Sequence, residues 1–174
     1  GFILIYNDIR RFGFFKLYKD INLEKIKFLN KIGLEPFSKK FNVKYFKKFI
    51  QNRKKNIKNL LMDQTFVAGL GNIYVNEALF ASYIYPLRPC NSLNIKEIEN
   101  LIFNIKKILK LSISKGGSSI KDFKNISGKN GTFQDSFKVY GLENRKCSRN
   151  SCNGKIKKIQ ISKRSSFYCD KCQT

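Results

Sequence analysis

The chain of 174 residues has no histidine and no tryptophan, and it has a single methionine. Without imidazole, the commonest general base and the commonest nitrogen ligand for metals are both missing, so a metal site must use thiolates or carboxylates. The longest apolar runs fall far below the roughly 20 residues that a membrane-spanning helix needs. No basic head followed by an apolar stretch indicates a signal peptide. We therefore expect neither histidine-based catalysis nor a membrane-bound or exported protein.

Acidic residues are scarce in this chain. Aspartate and glutamate total 12 against 35 lysines and arginines, which gives a formal net charge of +23. Abundant lysine, isoleucine, asparagine and phenylalanine are typical of an AT-rich coding sequence, but that bias would enrich acidic residues too, and they stay few. A charge of this size repels itself unless it meets phosphates, and counterion release then drives binding. The composition predicts a polyanionic partner, since a membrane surface, the alternative, favours one basic amphipathic helix.

The hydrophobic patterns predict strands near the start of the chain and helices after them. The runs Phe2–Tyr6 and Phe12–Tyr18 are rich in aromatic and β-branched residues, which favours two strands joined by a turn. Helical spacing of apolar residues then predicts three short helices, around Val43–Ile50, Ile57–Met62 and Ile73–Ser82. Asn72 stands immediately before the third of these helices, in the position of an N-cap.

The longest predicted helix runs from Asn94 to Ser114. Its apolar residues repeat at helical spacing, and Glu97 follows Asn94 at the distance of a capping box. The pair Gly116-Gly117 predicts its C-terminal end. The segment 118–131 is rich in serine, glycine, asparagine and lysine, and it predicts a mobile loop.

Four of the five cysteines fall in the last 28 residues: Cys147, Cys152, Cys169 and Cys172. Four residues separate the first pair, two separate the second, and sixteen lie between the pairs. Two cysteine knuckles joined by a β-hairpin place four thiolates around one zinc ion, and Ile156, Ile159 and Ile161 nearly alternate as a hairpin strand does. Disulfides would need an oxidising compartment, and a redox pair would begin a helix in a βαβ unit. We predict one structural Zn²⁺, with Cys90 as a packed thiol elsewhere.

Short motifs follow one another in a fixed order along the chain. They are Asp8-Ile9-Arg10-Arg11-Phe12-Gly13, Leu34-Glu35-Pro36, Leu61-Met62-Asp63-Gln64, Val67-Ala68-Gly69-Leu70-Gly71-Asn72-Ile73-Tyr74, Glu77-Ala78-Leu79-Phe80, Pro86-Leu87-Arg88-Pro89, Gly116-Gly117-Ser118, Lys121-Asp122-Phe123 and Val139-Tyr140-Gly141. With the cysteine ribbon behind them, they make the sequence resemble the C-terminal two thirds of bacterial formamidopyrimidine-DNA glycosylases, the 8-oxoguanine repair enzymes. The resemblance covers essentially the whole chain.

The resemblance implies an α+β fold in three parts. Residues 1–34 would be the last strands of an N-terminal β-sandwich domain. Residues 35–136 would form a helix-two-turns-helix DNA-binding domain with a loop that caps the lesion. Residues 137–174 would be a zinc ribbon. The implied partner is double-stranded damaged DNA, bound by a monomer in the bacterial cytoplasm at the nucleoid, with no membrane contact.

The resemblance also assigns site residues. The implied DNA contacts are Arg10, Arg11, Phe12, Arg53, Lys58, Asn72 and Arg164. Arg10 and Phe12 resemble the pair that fills the gap left by a flipped nucleotide, and Asn72 begins a helix whose free N–H groups suit a phosphate oxygen. Arg164 resembles the arginine that is assigned to δ-elimination. The lesion loop spans 117–130, and its implied contacts are Gly117, Ser118, Ser119 and Lys121.

The implied activity is base excision repair. It would remove oxidised purines by N-glycosylase action and nick the abasic site by β,δ-elimination. The family's nucleophile is an N-terminal proline followed by a catalytic glutamate, and no part of this chain matches that start. We therefore expect a piece of a bifunctional enzyme that binds DNA without cleaving it. Two alternatives stay open: an endonuclease VIII-type enzyme for oxidised pyrimidines, and a non-enzymatic zinc-ribbon DNA-binding protein.

Overall fold

The computed structural model describes residues 1–6, 8, 11–18, 26, 29–119 and 130–174. The chain divides into two compact units, Gly1–Lys31 and Ile32–Thr174. Among the described residues, no helix has the length and apolar character that crossing a membrane requires.

The described contacts of the first unit are local. The Arg11 backbone takes a positive φ of 55°, and its amide donates to the Asp8 carbonyl at 3.1 Å. Tyr6 and Phe15 meet edge to face, with ring centroids 4.6 Å apart. The two predicted strands do not form among the described residues of this unit, and apolar side chains such as Phe2 are exposed. A two-stranded hairpin with no apolar layer over it is marginally stable at best.

Asparagine side chains set the starts of three helices in the second unit. The helices of this unit are α1 (Val43–Ile50), α2 (Ile57–Leu61), α3 (Asn72–Ala81) and α4 (Ile95–Ser114). Asn42, Asn56 and Asn94 each accept a backbone N–H of the first turn that follows them. At α4, the Glu97 carboxylate also accepts the backbone N–H of Asn94, which confirms the predicted capping box.

The C-terminal end of α4 confirms the prediction from its two glycines. Gly116 and Gly117 have φ values of 69° and 85°, a conformation that side chains with a Cβ rarely adopt. Their amides donate to the carbonyls of Ile113 and Ser112 at 3.0 and 2.9 Å. This is the bonding pattern of a Schellman motif, which satisfies carbonyls that the helix leaves free.

The main core lies between the four helices and the segment that joins α2 to α3. Phe66, in that segment, is fully buried and packs against the rings of Phe46 and Phe49 with centroids 5.0 and 4.6 Å away. Ile98 and Leu101 from α4 belong to the same apolar cluster. This core fixes the position of α3, whose N-terminal end carries Asn72, one of the residues implied as DNA contacts.

A two-stranded antiparallel hairpin follows the helices, as the isoleucine pattern predicted. Strands β1 (Ile156–Ile161) and β2 (Arg164–Cys169) pair so that Ile156 faces Cys169. Ser162 and Lys163 both have positive φ values, 47° and 62°, which is the geometry of a tight two-residue hairpin turn. A separate apolar cluster that includes Phe80 and Phe167 packs the hairpin against α3.

Candidate metal centre and basic site

The four C-terminal cysteines converge on one point. Their sulfurs all lie within 4.8 Å of one another. Cys147 and Cys172 sulfurs are 3.8 Å apart, and those of Cys152 and Cys169 are 3.6 Å apart. These separations exceed a disulfide bond and fit the edges of a tetrahedron with Zn–S distances of about 2.3 Å. Four protein ligands leave no open position, so the geometry suits a structural ion and not a catalytic one.

Backbone groups and one glycine shape this cluster. The Cys147 amide donates to the Gly154 carbonyl at 2.8 Å, and the Gly154 amide donates to Cys152 Sγ at 3.4 Å. A Cβ on Gly154 would lie 2.5 Å from Cys169 Sγ, so a larger residue would displace that sulfur. The Cys169 amide is held by Gln173 Oε1 at 2.8 Å. The cluster is therefore set by its own knuckles as well as by the hairpin.

Lys58 and Asn72 converge on strand β2 beside Arg164. Lys58 is only 1% exposed, and its Nζ donates to the Ser165 carbonyl at 3.3 Å and to the Ser166 hydroxyl. Asn72 Nδ2 donates to the same Ser165 carbonyl at 2.9 Å. The ribbon thus brings three of the residues implied as DNA contacts to one place, although Lys58 and Arg164 are more than a hundred positions apart in the sequence.

The surroundings of Lys58 disfavour its charged, ammonium form. Burial, reinforced by the nearby charge of Arg164, lowers the pKa of Lys58 to about 8. Its hydrogen-bond acceptors in the described part of the chain are neutral oxygens, and none is a carboxylate. An anion bound at this point would favour the ammonium form and offset both effects.

Asn72 is not the N-cap that the sequence predicted. Gly71 holds that position with extended backbone angles, and Asn72 is the first residue of α3. The Asn72 side-chain amide donates to the ribbon, while its Oδ1 accepts from Asn76 Nδ2 of the same helix at 3.4 Å. It consequently joins the start of α3 to β2.

Two buried polar residues of α3 were not predicted as site residues. Asn76 is fully buried, donates to the Asn72 carbonyl at 2.7 Å and accepts the Phe167 amide at 2.7 Å. Glu77 accepts the amides of residues 138, 139 and 140, the shortest of them from Tyr140 at 2.8 Å. Burial raises the pKa of Glu77, while these three amides favour its ionised form. Polar residues inside the helical apolar pattern were the available signal.

Arg11 and Phe12, two of the implied DNA contacts, belong to the first unit. Phe12 is 78% exposed, and Arg11 is also exposed. The Gly13 amide donates to Asp8 Oδ2 at 2.6 Å, which shapes the turn that presents them. Arg10 lies outside the described residues.

Arg53 is placed differently from Lys58 and Asn72. Its guanidinium lies 4.1 Å from the centroid of the Phe49 ring, and its carbonyl is in contact with Cys90 Sγ at 3.1 Å. It lines a surface cavity of about 450 Å³ together with Tyr45 and Lys48. No described hydrogen bond joins its side chain to the cluster around β2.

The two ends of the predicted lesion loop are held together. The Ser119 amide donates to Gln134 Oε1 at 3.1 Å, and its hydroxyl accepts the Gly131 amide at 2.9 Å. A Cβ on Gly131 would lie 2.2 Å from the Gly117 carbonyl oxygen, so this approach requires glycine. Ser118 forms a bridge with the opposite side at residue 132. Residues 120–129, including Lys121, lie outside the described residues.

The fold and the cysteine cluster define a class of protein in which a small helical domain carries a four-cysteine ribbon. Residues 32–124 match the Formamidopyrimidine-DNA glycosylase H2TH domain, which is more than half of the chain. The chain therefore belongs to the formamidopyrimidine-DNA glycosylase family, as its motifs predicted.

A curated bacterial relative is similar along nearly the whole chain. The formamidopyrimidine-DNA glycosylase of Rickettsia conorii is 46% identical over 170 residues, which are 98% of this chain and 61% of that protein. The chain thus spans about three fifths of the length of the curated relatives that it matches.

Solved structures share the fold. A Lactococcus lactis FPG mutant in complex with a Fapy-dG containing DNA aligns with a TM-score of 0.78 and 40% identity, over 85% of this chain and 54% of that one. MutM (Fpg) from Thermus thermophilus aligns with a TM-score of 0.79 and 32% identity, over 87% and 57% of the two chains. These likenesses confirm the predicted α+β class, with a helix-two-turns-helix region followed by a cysteine hairpin.

Proposed function

We propose that this chain is the DNA-holding part of a base-excision repair enzyme for oxidised purines. The observation that carries the proposal is the convergence of Lys58, Asn72 and Arg164 at one point between α3 and the ribbon. The Lactococcus relative with a Fapy-dG containing DNA supports the same class of substrate. The complete enzyme would remove 8-oxoguanine and formamidopyrimidines and nick the abasic site by β,δ-elimination.

The proposed contacts follow from the charges at the site. The N-terminal end of α3 presents free N–H groups and the positive end of the helix dipole, which suit a phosphate oxygen. Arg164 is exposed at the start of β2 and adds a planar cation that matches phosphate geometry. Lys58 lies beneath it as a buried ammonium. Together they would hold the DNA backbone at the lesion.

We infer that the four cysteines hold one structural zinc ion. Cys147, Cys152, Cys169 and Cys172 would be its ligands. The ion would supply no catalytic chemistry, since its four positions are filled by thiolates. Its contribution is to fix the knuckles at the end of β2, the strand that begins with Arg164.

Substitution of the proposed phosphate contacts should weaken DNA binding. We expect Asn72→Ala and Arg164→Ala each to lower affinity for an abasic-site duplex by roughly tenfold or more, because a half-buried amide donor and an exposed charged donor at the proposed phosphate site are lost. Arg164→Ala should also reduce the salt dependence, d log K/d log[salt], by about 1. Fluorescence anisotropy at several salt concentrations measures both effects.

The matched control is Lys107→Ala, which removes an exposed charge from α4. Its effect should be small and confined to a weak change in salt dependence. If Lys107→Ala weakens binding as much as Arg164→Ala, the positive charge acts diffusely and the proposed contacts are wrong.

The lowered pKa of Lys58 predicts a pH dependence in both stability and binding. Between about pH 8 and 10.5 the unfolded chain binds a proton at Lys58 that the folded chain has lost, so stability should rise with pH across this window. A phosphate bound nearby favours the ammonium, so DNA affinity should fall as pH rises through 8 and 9. Chemical unfolding and anisotropy between pH 7 and 10 test the two signs.

Lys58→Gln supplies the control for this prediction. It keeps a donor near Ser165 and removes the titrating group, so the fall in affinity between pH 7 and 9.5 should largely disappear. A wild-type affinity that is flat over this range would refute the proposed role of the Lys58 charge.

A further inference from the structure

Arg149 touches both the cysteine cluster and helix α3. It lies in the four-residue spacer of the first cysteine pair. One guanidinium nitrogen donates to Cys172 Sγ at 2.6 Å, and the other donates to the Phe80 carbonyl. The guanidinium carbon is also 4.1 Å from the ring centroid of Phe80 and 3.4 Å from that of Tyr83. The side chain is therefore fixed by two hydrogen bonds and two aromatic faces.

The contact with Phe80 places a cation at the C-terminal end of α3. That end carries the negative pole of the helix dipole, and the last turn of α3 has no basic residue of its own. The Phe80 carbonyl already accepts the Tyr83 amide at 3.0 Å, and Arg149 supplies a further, charged donor. The ribbon thus provides the favourable charge that the helix sequence lacks.

The contact with Cys172 brings the cationic guanidinium next to a cysteine cluster that would be negatively charged. Four thiolates around a divalent ion carry a net charge of −2, and part of the cluster is buried. A donor to a ligand sulfur offsets this charge and orients the ligand, which is how outer hydrogen bonds sustain metal affinity. The guanidinium has its donors in a fixed fork, so one side chain can hold the sulfur and the carbonyl together.

We propose that Arg149 is a positioning residue that joins the metal ligand Cys172 to the C-terminal end of α3 and slows loss of the metal. This inference rests on the zinc site proposed above. Asn72 and Asn76 join the other end of the helix to β2. The ribbon therefore holds α3 at both ends.

The spacing of the first cysteine pair fits this role. Its spacer has four residues where two are common. The Cys152 amide donates to the Arg149 carbonyl at 3.1 Å, which closes a turn inside the spacer. The longer spacer gives Arg149 a place within the knuckle from which it reaches the last turn of α3.

The test measures metal release. In the wild-type chain, Arg149→Gln and Arg149→Lys, zinc is first counted and then extracted with a chelator that changes colour on binding zinc. We expect both variants to lose zinc roughly 10- to 100-fold faster than the wild type. Lysine should not restore the wild-type rate, because one ammonium cannot reproduce the fork or the stacking. Arg145→Gln, an exposed arginine of the same ribbon, is the matched control and should match the wild type.

A spectroscopic measurement separates a contact with the sulfur from a general loss of stability. With Co²⁺ in place of zinc, the thiolate-to-metal charge-transfer band reports electron density on the sulfurs. Loss of an N–H···S bond raises the sulfur orbitals, so Arg149→Gln should move this band to longer wavelength, while Arg145→Gln should not. Tyr83→Leu retains the fork and removes one aromatic face, so its zinc release should change in the same direction and by less.

The possible results are distinguishable. A wild-type chain without zinc refutes the metal site itself. A zinc-loaded wild type whose release rate and cobalt spectrum are matched by Arg149→Gln overturns the role of Arg149 and leaves the metal site standing. Wild-type release from Arg149→Lys would also overturn the proposal, because charge alone would then suffice. If Arg149→Gln does not fold, Tyr83→Leu decides, and an unchanged rate in that variant refutes the stacked geometry.

Discussion

Cys169→Ser should yield a chain that purifies without zinc and has an unfolded C-terminal ribbon. Cys169 is fully buried, and its sulfur closes the cluster with Cys152 at 3.6 Å. Because a structural zinc site rarely exists in the unfolded state, its binding free energy, of the order of 10–16 kcal/mol in small zinc domains, is also folding free energy. Removing one thiolate should therefore abolish most of this binding free energy. The zinc content measured by metal analysis should fall from about one ion per chain to near zero.

The loss of structure in Cys169→Ser should be local. The helical core is a separate apolar cluster that contains no residue of the ribbon, whereas Ile156 and Phe167 pack with the cysteines. Circular dichroism should therefore retain the helical signal. Limited proteolysis should cut the chain beyond residue 137.

Cys90→Ser is the matched control for the cysteine substitution. Cys90 is equally buried but lies away from the cluster, and its Sγ is 3.1 Å from the Arg53 carbonyl, a contact that a serine hydroxyl can replace. This variant should keep its zinc. Stoichiometric zinc in Cys169→Ser, or an equal loss in Cys90→Ser, would contradict the four-thiolate site.

Local signals in the sequence were sufficient for the best-predicted elements. The start of α4 depends on Asn94 and Glu97, three residues apart, and its end depends on two adjacent glycines. The cysteine cluster was predictable for a similar reason, since knuckle spacing and a short hairpin fix four sulfurs with few degrees of freedom. In each case the deciding residues are close in the sequence or are joined by one short element.

The arrangement around Lys58 depends on contacts that no local pattern contains. Its partners on β2 are 107 and 108 positions away, and the resemblance to a family, not periodicity, singled it out. Asn72 was misplaced as an N-cap for the same reason, because the carbonyl that its side-chain amide contacts belongs to Ser165 on β2, 93 positions away. A glutamate inside an apolar helical pattern signals a buried polar role for Glu77, but its partners, three amides of the segment after the loop, are more than 60 positions away.

The strands predicted from Phe2–Tyr6 and Phe12–Tyr18 show the limit of propensity. Their aromatic and β-branched residues favour extended backbone, and the Tyr6 and Phe15 rings do meet. A strand also needs neighbours that cover its apolar face, and the described residues of this unit leave Phe2 and its neighbours exposed. Composition predicted the conformation that these runs favour, and packing determines whether they adopt it.

The 174-residue chain should bind lesion-containing DNA and should fail to form a covalent complex with it. The family chemistry implied by the motifs begins with the free amine of an N-terminal proline, which attacks the sugar and forms a Schiff base. The three prolines here, Pro36, Pro86 and Pro89, are internal, so their nitrogens are in peptide bonds and are not nucleophilic. Borohydride should therefore trap no adduct on an abasic-site duplex, although anisotropy should show binding.

Arg164 should not rescue this reaction. An arginine that assists δ-elimination has nothing to act on until a Schiff base has formed. Base release from an 8-oxoguanine duplex and strand cleavage should both stay at the level of a reaction without protein. Joining to this chain a segment that begins with the proline and glutamate that the family resemblance implies should restore trapping, because it would supply an amine nucleophile to the proposed DNA site.

Lys58 is the residue whose behaviour would contradict this prediction. Its pKa, lowered to about 8, gives it a larger neutral fraction at pH 8 than an ordinary lysine has, and a neutral amine is what Schiff-base formation requires. Its Nζ is nevertheless buried and engaged with Ser165 and Ser166, so we expect it to act on a nearby phosphate through its charge and not to attack the sugar. Trapping faster than with free lysine would show that a second amine serves as nucleophile. If Lys58→Gln abolished such an adduct, Lys58 would be that amine, and the site between α3 and the ribbon would be catalytic by itself.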